Sequence, residues 1–67
     1  MNTKIKFIRV YHRYNEAICE IIYKSGRIKT IFGGYSNLPL TAIAFLDMSK
    51  ARKQIDQFHG EETIYNI

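Results

Sequence analysis

Apolar and polar residues alternate along residues 4 to 14. Ile5, Phe7, Arg9, Tyr11 and Arg13 fall on one side of an extended chain, and Lys6, Ile8, Val10, His12 and Tyr14 on the other. This predicts a strand. Neither side is purely polar, so one is expected under the chain's own helix and the other free for a partner. Further on, Glu20-Ile-Ile-Tyr-Lys-Ser-Gly-Arg-Ile-Lys-Thr-Ile-Phe32 sets two runs rich in Ile, Tyr, Thr and Phe around Ser25-Gly26. Glycine supplies the positive φ of a tight turn, so the stretch predicts a β-hairpin that nucleates the sheet.

Between these, Asn15-Glu16 is the expected turn, and residues 17 to 24 admit two readings. As a strand, Ala17, Cys19, Ile21 and Tyr23 share one face, with β-branched and aromatic content in support. As a helix, Asn15 is the N-cap, Ala17, Ile18, Ile21 and Ile22 form the stripe, and Gly26 ends it. Strand is the preferred reading. A third strand runs from Arg27 to Phe32, Gly33-Gly34 breaks it, and residues 33 to 39 form a loop in which Pro39 keeps Leu38 extended.

From Leu40 the period becomes helical. Leu40, Ala44, Met48, Ala51, Ile55 and Phe58 mark one face, Asp47, Lys50, Lys53, Gln54 and Gln57 the other, and His59-Gly60 is a stop signal. This predicts a helix through residue 59. Its start has an alternative, a buried strand over Ala42 to Leu46, with Asp47 or Ser49 capping a helix over 50–59. The tail, residues 62 to 67, is a candidate short edge strand.

The expected fold is therefore α+β: a three-stranded antiparallel meander over 4–14, 17–24 and 27–33 packed on one amphipathic C-terminal helix. Ile5 or Phe7, Ile21, Ile28, Phe32, Ala44, Ala51, Ile55 and Phe58 are its expected core. Taking the ambiguous segments the other way gives a ferredoxin-like βαββαβ order. In that order Ile43 to Gly60 resembles the third strand and second helix of RNA-recognition motifs. Of the basic residue, glycine and aromatics such a strand carries, Leu40-Thr-Ala-Ile-Ala-Phe45 supplies only the last Phe, which implies no base-stacking platform there.

With 67 residues, the chain is read as a single small domain, 1–67. A chain this short buries only about 60% of its unfolded surface, which makes a deep, dry catalytic cleft physically awkward. Hydrophobic residues at 46% and charged residues at 24% are those of a chain that folds. No apolar run approaches the roughly 18 residues of a membrane span, and Met-Asn-Thr-Lys-Ile-Lys lacks the features of a signal peptide. One cysteine, Cys19, permits no internal disulfide and reads as a small buried hydrophobe. A cytoplasmic location without membrane contact is the expectation.

The net charge of +4 is unevenly spread. Residues 1 to 29 hold Lys4, Lys6, Arg9, Arg13, Lys24, Arg27 and Lys29 against Glu16 and Glu20, a balance of +5. An anionic partner is expected on this N-terminal half. Chemistry beyond charge is sparse. His12, Cys19 and His59 show no paired metal-ligand spacing, so no metal site or Cys-His nucleophile is expected. Asp47, Asp56, Glu61 and Glu62 read as solvated surface, and Gly33-Gly34 lacks the phosphate-binding patterns that need further glycines or a Lys. No cofactor and no enzymatic activity are expected.

What remains is basic residues interleaved with aromatics: Arg9, Tyr11, Arg13 and Tyr14 on the first strand, and Tyr23, Lys24, Arg27 and Lys29 around the hairpin. Cations neutralise phosphates while Tyr rings stack on unpaired bases, so the leading expectation is a small binding protein for nucleic acid, single-stranded or backbone-directed. The alternative is a small regulatory or inhibitory protein that docks on a larger protein with an acidic surface. Lys and Arg also guard strand edges against aggregation, which explains part of the pattern without any ligand. A homodimer through the spare sheet face or a terminal strand is a third, minor reading.

Overall fold

Tyr14 and Asn15 both take left-handed backbone conformations, φ 53° and 62°. A two-residue turn of this kind matches the twist of the strands it joins. It connects β1 (Ile5–Arg13) to β2 (Glu16–Tyr23), one residue earlier than the expected Asn15-Glu16 turn. The computed structural model describes residues 4–56 and 62–66. Within them residues 16 to 23 are a strand, so the helical reading of that stretch is corrected.

The second hairpin forms as its sequence suggests. Lys24, Ser25 and Gly26 make the loop, Gly26 at φ 94° with its N–H donating to the Tyr23 carbonyl at 2.9 Å, and β3 (Ile28–Phe32) follows. A fourth strand, β4 (Thr63–Tyr65), pairs antiparallel with β1, setting Tyr65 opposite Ile8 and Ile64 opposite Arg9. The sheet is antiparallel in the order β3-β2-β1-β4, four strands where three were expected. The fold is mixed α+β.

A bulge near the start of β1 decides which side chains go inside. The β1–β2 register shifts between Ile5 and Phe7, so Lys6 is an extra residue and Ile5 turns to the same side as Ile8 and Val10. These three, with Cys19, Ile21 and Tyr65, form the sheet's half of the core.

The other half comes from α1 (Leu40–Ser49) and α2 (Arg52–Asp56), reached through a short 3-10 turn over Gly34–Asn37. Ala42, Phe45 and Leu46 of α1 are buried, joined by Leu38, Ala51 and Ile55. Leu40, by contrast, is 83% exposed, and Met48 is exposed as well. The expected stripe Leu40–Ala44–Met48 is thus rotated away from the core. Its cause is a break in the helix. Lys50 sits at φ 59°, its N–H donating to the Asp47 carbonyl at 3.3 Å, and the Ala51 N–H donates to the Leu46 carbonyl at 3.1 Å. Those two bonds are a Schellman stop, with Lys where Gly is usual. The helical phase therefore restarts at α2, and a stripe drawn through both segments fails. The proposed strand over Ala42 to Leu46 lies inside α1, so the ferredoxin-like order is not found. The expected helix end, with Phe58, His59 and Gly60, lies outside the described residues.

Candidate partner-binding surface

The helices lie on one side of the sheet; on the other, among the described residues, the margins Ile28, Phe32 and Ile64 are open to solvent, while Ile18 is buried and Phe7, Tyr11, Glu20 and Ile22 are half-buried. Register pairing sets Phe7 beside Ile22, Arg9 beside Glu20 and Tyr11 beside Ile18, then Ile22 beside Ile28, Glu20 beside Thr30 and Ile18 beside Phe32. Ile64 extends the surface on the far strand, opposite Arg9. Ile28, Phe32 and Ile64 are 60%, 56% and 51% exposed. Ile28 and Phe32 were expected in the core. They share the parity of Ile18, Glu20 and Ile22, and no helix among the described residues lies on that face.

Charge on this face lies in a strip at its middle and in Arg13 and Glu16 at one end. Arg9 Nη1 lies 3.1 Å from Glu20 Oε1, and Arg9 Nε lies 3.5 Å from Glu62 Oε2 without hydrogen-bond alignment. Tyr11 donates its hydroxyl to Glu20 Oε2 at 3.4 Å, and the Arg9 guanidinium stacks 4.7 Å from the Tyr11 ring centre. The strip pairs its one cation with two carboxylates and so keeps a net charge of −1, and apolar side chains lie on either side of it.

The eight residues singled out by their basic-aromatic pattern do not converge. Arg9, Tyr11 and Arg13 share the uncovered face, and Tyr14 stands in the β1–β2 turn, 89% exposed, with Arg13 over its ring at 5.4 Å. Tyr23, Lys24 and Arg27 lie at the opposite end of β2. From the turn at Tyr14, β2 runs seven residues to Tyr23, roughly 23 Å at about 3.3 Å each, with Arg9, opposite Glu20, between the ends, roughly 10 Å from Tyr23. There Arg27 stacks 4.6 Å from the Tyr23 ring, and Tyr23 packs against the core. Lys29 pairs with Ile21 and so belongs to the helix side of the sheet, at its exposed margin. Each of the three Tyr rings thus has an Arg over one of its faces.

Ile28, Phe32 and Ile64 are surface residues that the pattern does not reveal. The signal was present in the two-residue alternation of Ile28, Thr30 and Phe32, but alternation alone does not say which side the helix takes.

Elsewhere, an open groove at the α1–α2 junction is lined by Asp47, Lys50, Arg52 and Lys53, with Arg52 3.6 Å from Asp47. Cys19 is fully buried, and burial pushes its thiol up to about 11. Burial also raises the Tyr65 phenol, opposed by a hydrogen bond with the Thr63 side chain and aided by the nearby Cys19 charge. Among the described residues no three His, Cys, Asp or Glu side chains gather as a metal ion would require. No helix among them is long and apolar enough to cross a membrane. Comparison with family models, with curated proteins and with solved structures finds no match.

Proposed function

We propose that this chain is a non-catalytic binding protein that docks through the uncovered face of its sheet on a larger protein whose apolar patch carries an acidic rim. The observation that supports it most is the exposure of Ile28, Phe32 and Ile64 around an Arg9–Glu20–Glu62 strip. Exposed apolar area of this kind, rimmed by polar groups, marks interaction surfaces. The cations outside the strip, Lys6, Arg13, Lys24 and Arg27, are exposed at the ends of the strands and complement an acidic rim.

The nucleic-acid reading draws less support from this geometry. A phosphate-binding guanidinium is most effective when unpaired, and Arg9 is shared between two carboxylates.

The test is affinity capture from nuclease-treated extract with the wild-type chain and with Ile64→Asp, then calorimetry on the recovered partner after purification. The expected result is at least a tenfold weaker complex with Ile64→Asp, and moderate weakening by salt. Equal affinity of the two chains overturns the placement. Binding confined to oligonucleotides, with log-linear loss in salt, overturns the class of partner.

A further inference from the structure

The two edges of the sheet are not alike, and β3 leaves a usable one. The Tyr23 N–H donates to the Arg27 carbonyl at 2.9 Å, and the Gly33 N–H donates to the Ala17 carbonyl at 3.1 Å. Between them the β2–β3 register runs without a shift. Antiparallel pairing alternates, so Lys29 and Ile31 also direct their backbone groups toward β2, and Ile28, Thr30 and Phe32 direct theirs outward. The Asn37 side-chain amide donates to the Phe32 carbonyl at 2.9 Å from that outer side, which confirms the parity and closes this end of the edge. The outward groups of Ile28 and Thr30 and the Phe32 N–H have no partner strand among the described residues.

Charge says what kind of strand fits. Arg27 and Lys29 are exposed along this margin, and neither is in an ion pair among the described residues. We propose that β3 takes up an extended, acidic segment of the partner protein as an additional strand, which specifies the chemistry of the partner and rests on the protein-docking reading. Partner residues opposite Ile28, Thr30 and Phe32 turn to the uncovered face and are apolar. The residue opposite Lys29 turns to the other side and is Asp or Glu. Main-chain bonds supply affinity and the alternating side chains supply selectivity.

A second copy of this chain fits the same edge less well. Centring a two-fold axis on Thr30 gives the longest ladder, but it needs the Phe32 carbonyl that Asn37 already engages. It also sets two Lys29 side chains on one face of adjacent strands, where like charges oppose pairing.

The probe is a blocked seven-residue peptide alternating Val and Glu, titrated into isotope-labelled protein while amide exchange is followed residue by residue. Its addition is expected to slow exchange at Ile28, Thr30 and Phe32 by at least tenfold. A Val-Lys peptide should do nothing. Thr30→Pro removes an outward N–H that β2 does not use, so the edge strand tolerates it and the protection disappears. Lys29→Glu weakens binding by about tenfold. Absence of protection at millimolar peptide, or protection that survives Thr30→Pro, overturns the proposal. Protection of the same amides that rises with protein concentration alone assigns the edge to a second copy and overturns it too. In the capture experiment, a Thr30→Pro chain that still recovers the partner that Ile64→Asp loses removes the edge and leaves the docking face standing.

Discussion

Arg9 and Glu20 face each other directly across the β1–β2 ladder, with Nη1 3.1 Å from Oε1. Cross-strand pairs of opposite charge are worth roughly 0.2–1 kcal/mol, and both side chains are partly shielded here. A double-mutant cycle with Arg9→Met and Glu20→Gln is therefore expected to give a coupling of about 0.5–1 kcal/mol. It should shrink at about 1 M salt, where the Debye length is near 3 Å. A coupling of zero at low salt would mean that the strip is not formed in solution.

Lys50 holds a left-handed backbone conformation between the two helices. A non-glycine residue at φ 59° carries a steric cost of about 1 kcal/mol that glycine avoids. Lys50→Gly should raise stability by about that amount, read as an upward shift of roughly 4–8 °C in Tm for a domain of this size. Destabilisation would argue for a continuous helix through residue 50.

Ile8 and Ile28 offer the cleanest contrast between the two faces. Ile8 is fully buried beneath the helices, and Ile28 is mostly in solvent. Ile8→Ala should cost about 2–5 kcal/mol in chemical denaturation, whereas Ile28→Ala should cost under about 1 kcal/mol. The reverse order would exchange the faces.

Cys19 predicts an alkaline limit to stability. In the unfolded chain the thiol loses its proton near 9.0, while burial holds it in the folded chain to about 11. The unfolded state therefore releases the proton first. The stability difference is fully present below pH 9 and is lost as pH rises from 9 to 11, by up to about 2–3 kcal/mol. Denaturant midpoints of wild type and Cys19→Ala should converge across that window, with residual loss in both as Tyr65, whose phenol burial also raises, titrates. Parallel curves would contradict a buried thiol.

Much of the sheet was readable because its information is local. Ser25-Gly26 and the alternation on either side specify a hairpin through turn chemistry alone, and residues 62 to 67 carry enough β-branched and aromatic character to be a candidate edge strand outside the expected meander. The buried face was not readable. One inserted residue at Lys6 moves Ile5 to the side of Ile8 and Val10, and nothing in the pattern Lys-Ile-Lys-Phe-Ile announces a bulge. The helix failed for a related reason. Leu40 to Leu46 is apolar nearly all round, so its buried side was borrowed from Ala51 and Ile55, which lie beyond a stop made by Lys50 instead of glycine. Both errors propagate to the candidate site. With Ile28 and Phe32 assigned to the core, the basic and aromatic residues were left as the visible surface signal, and the self-pairing of Arg9 with Glu20 could not be seen.

The docking account stands on one claim, that the sheet turns Ile28, Phe32 and Ile64 to solvent and Ile8, Val10 and Ile21 to the helices. A soluble paramagnetic agent added to methyl-labelled protein measures this side chain by side chain. The predicted result is strong broadening of the Ile28 and Ile64 methyls and of the Phe32 ring protons, with the methyls of Ile8, Val10 and Ile21 retained. Retention at Ile28 and Ile64 with broadening at Ile8 and Ile21 would contradict the account.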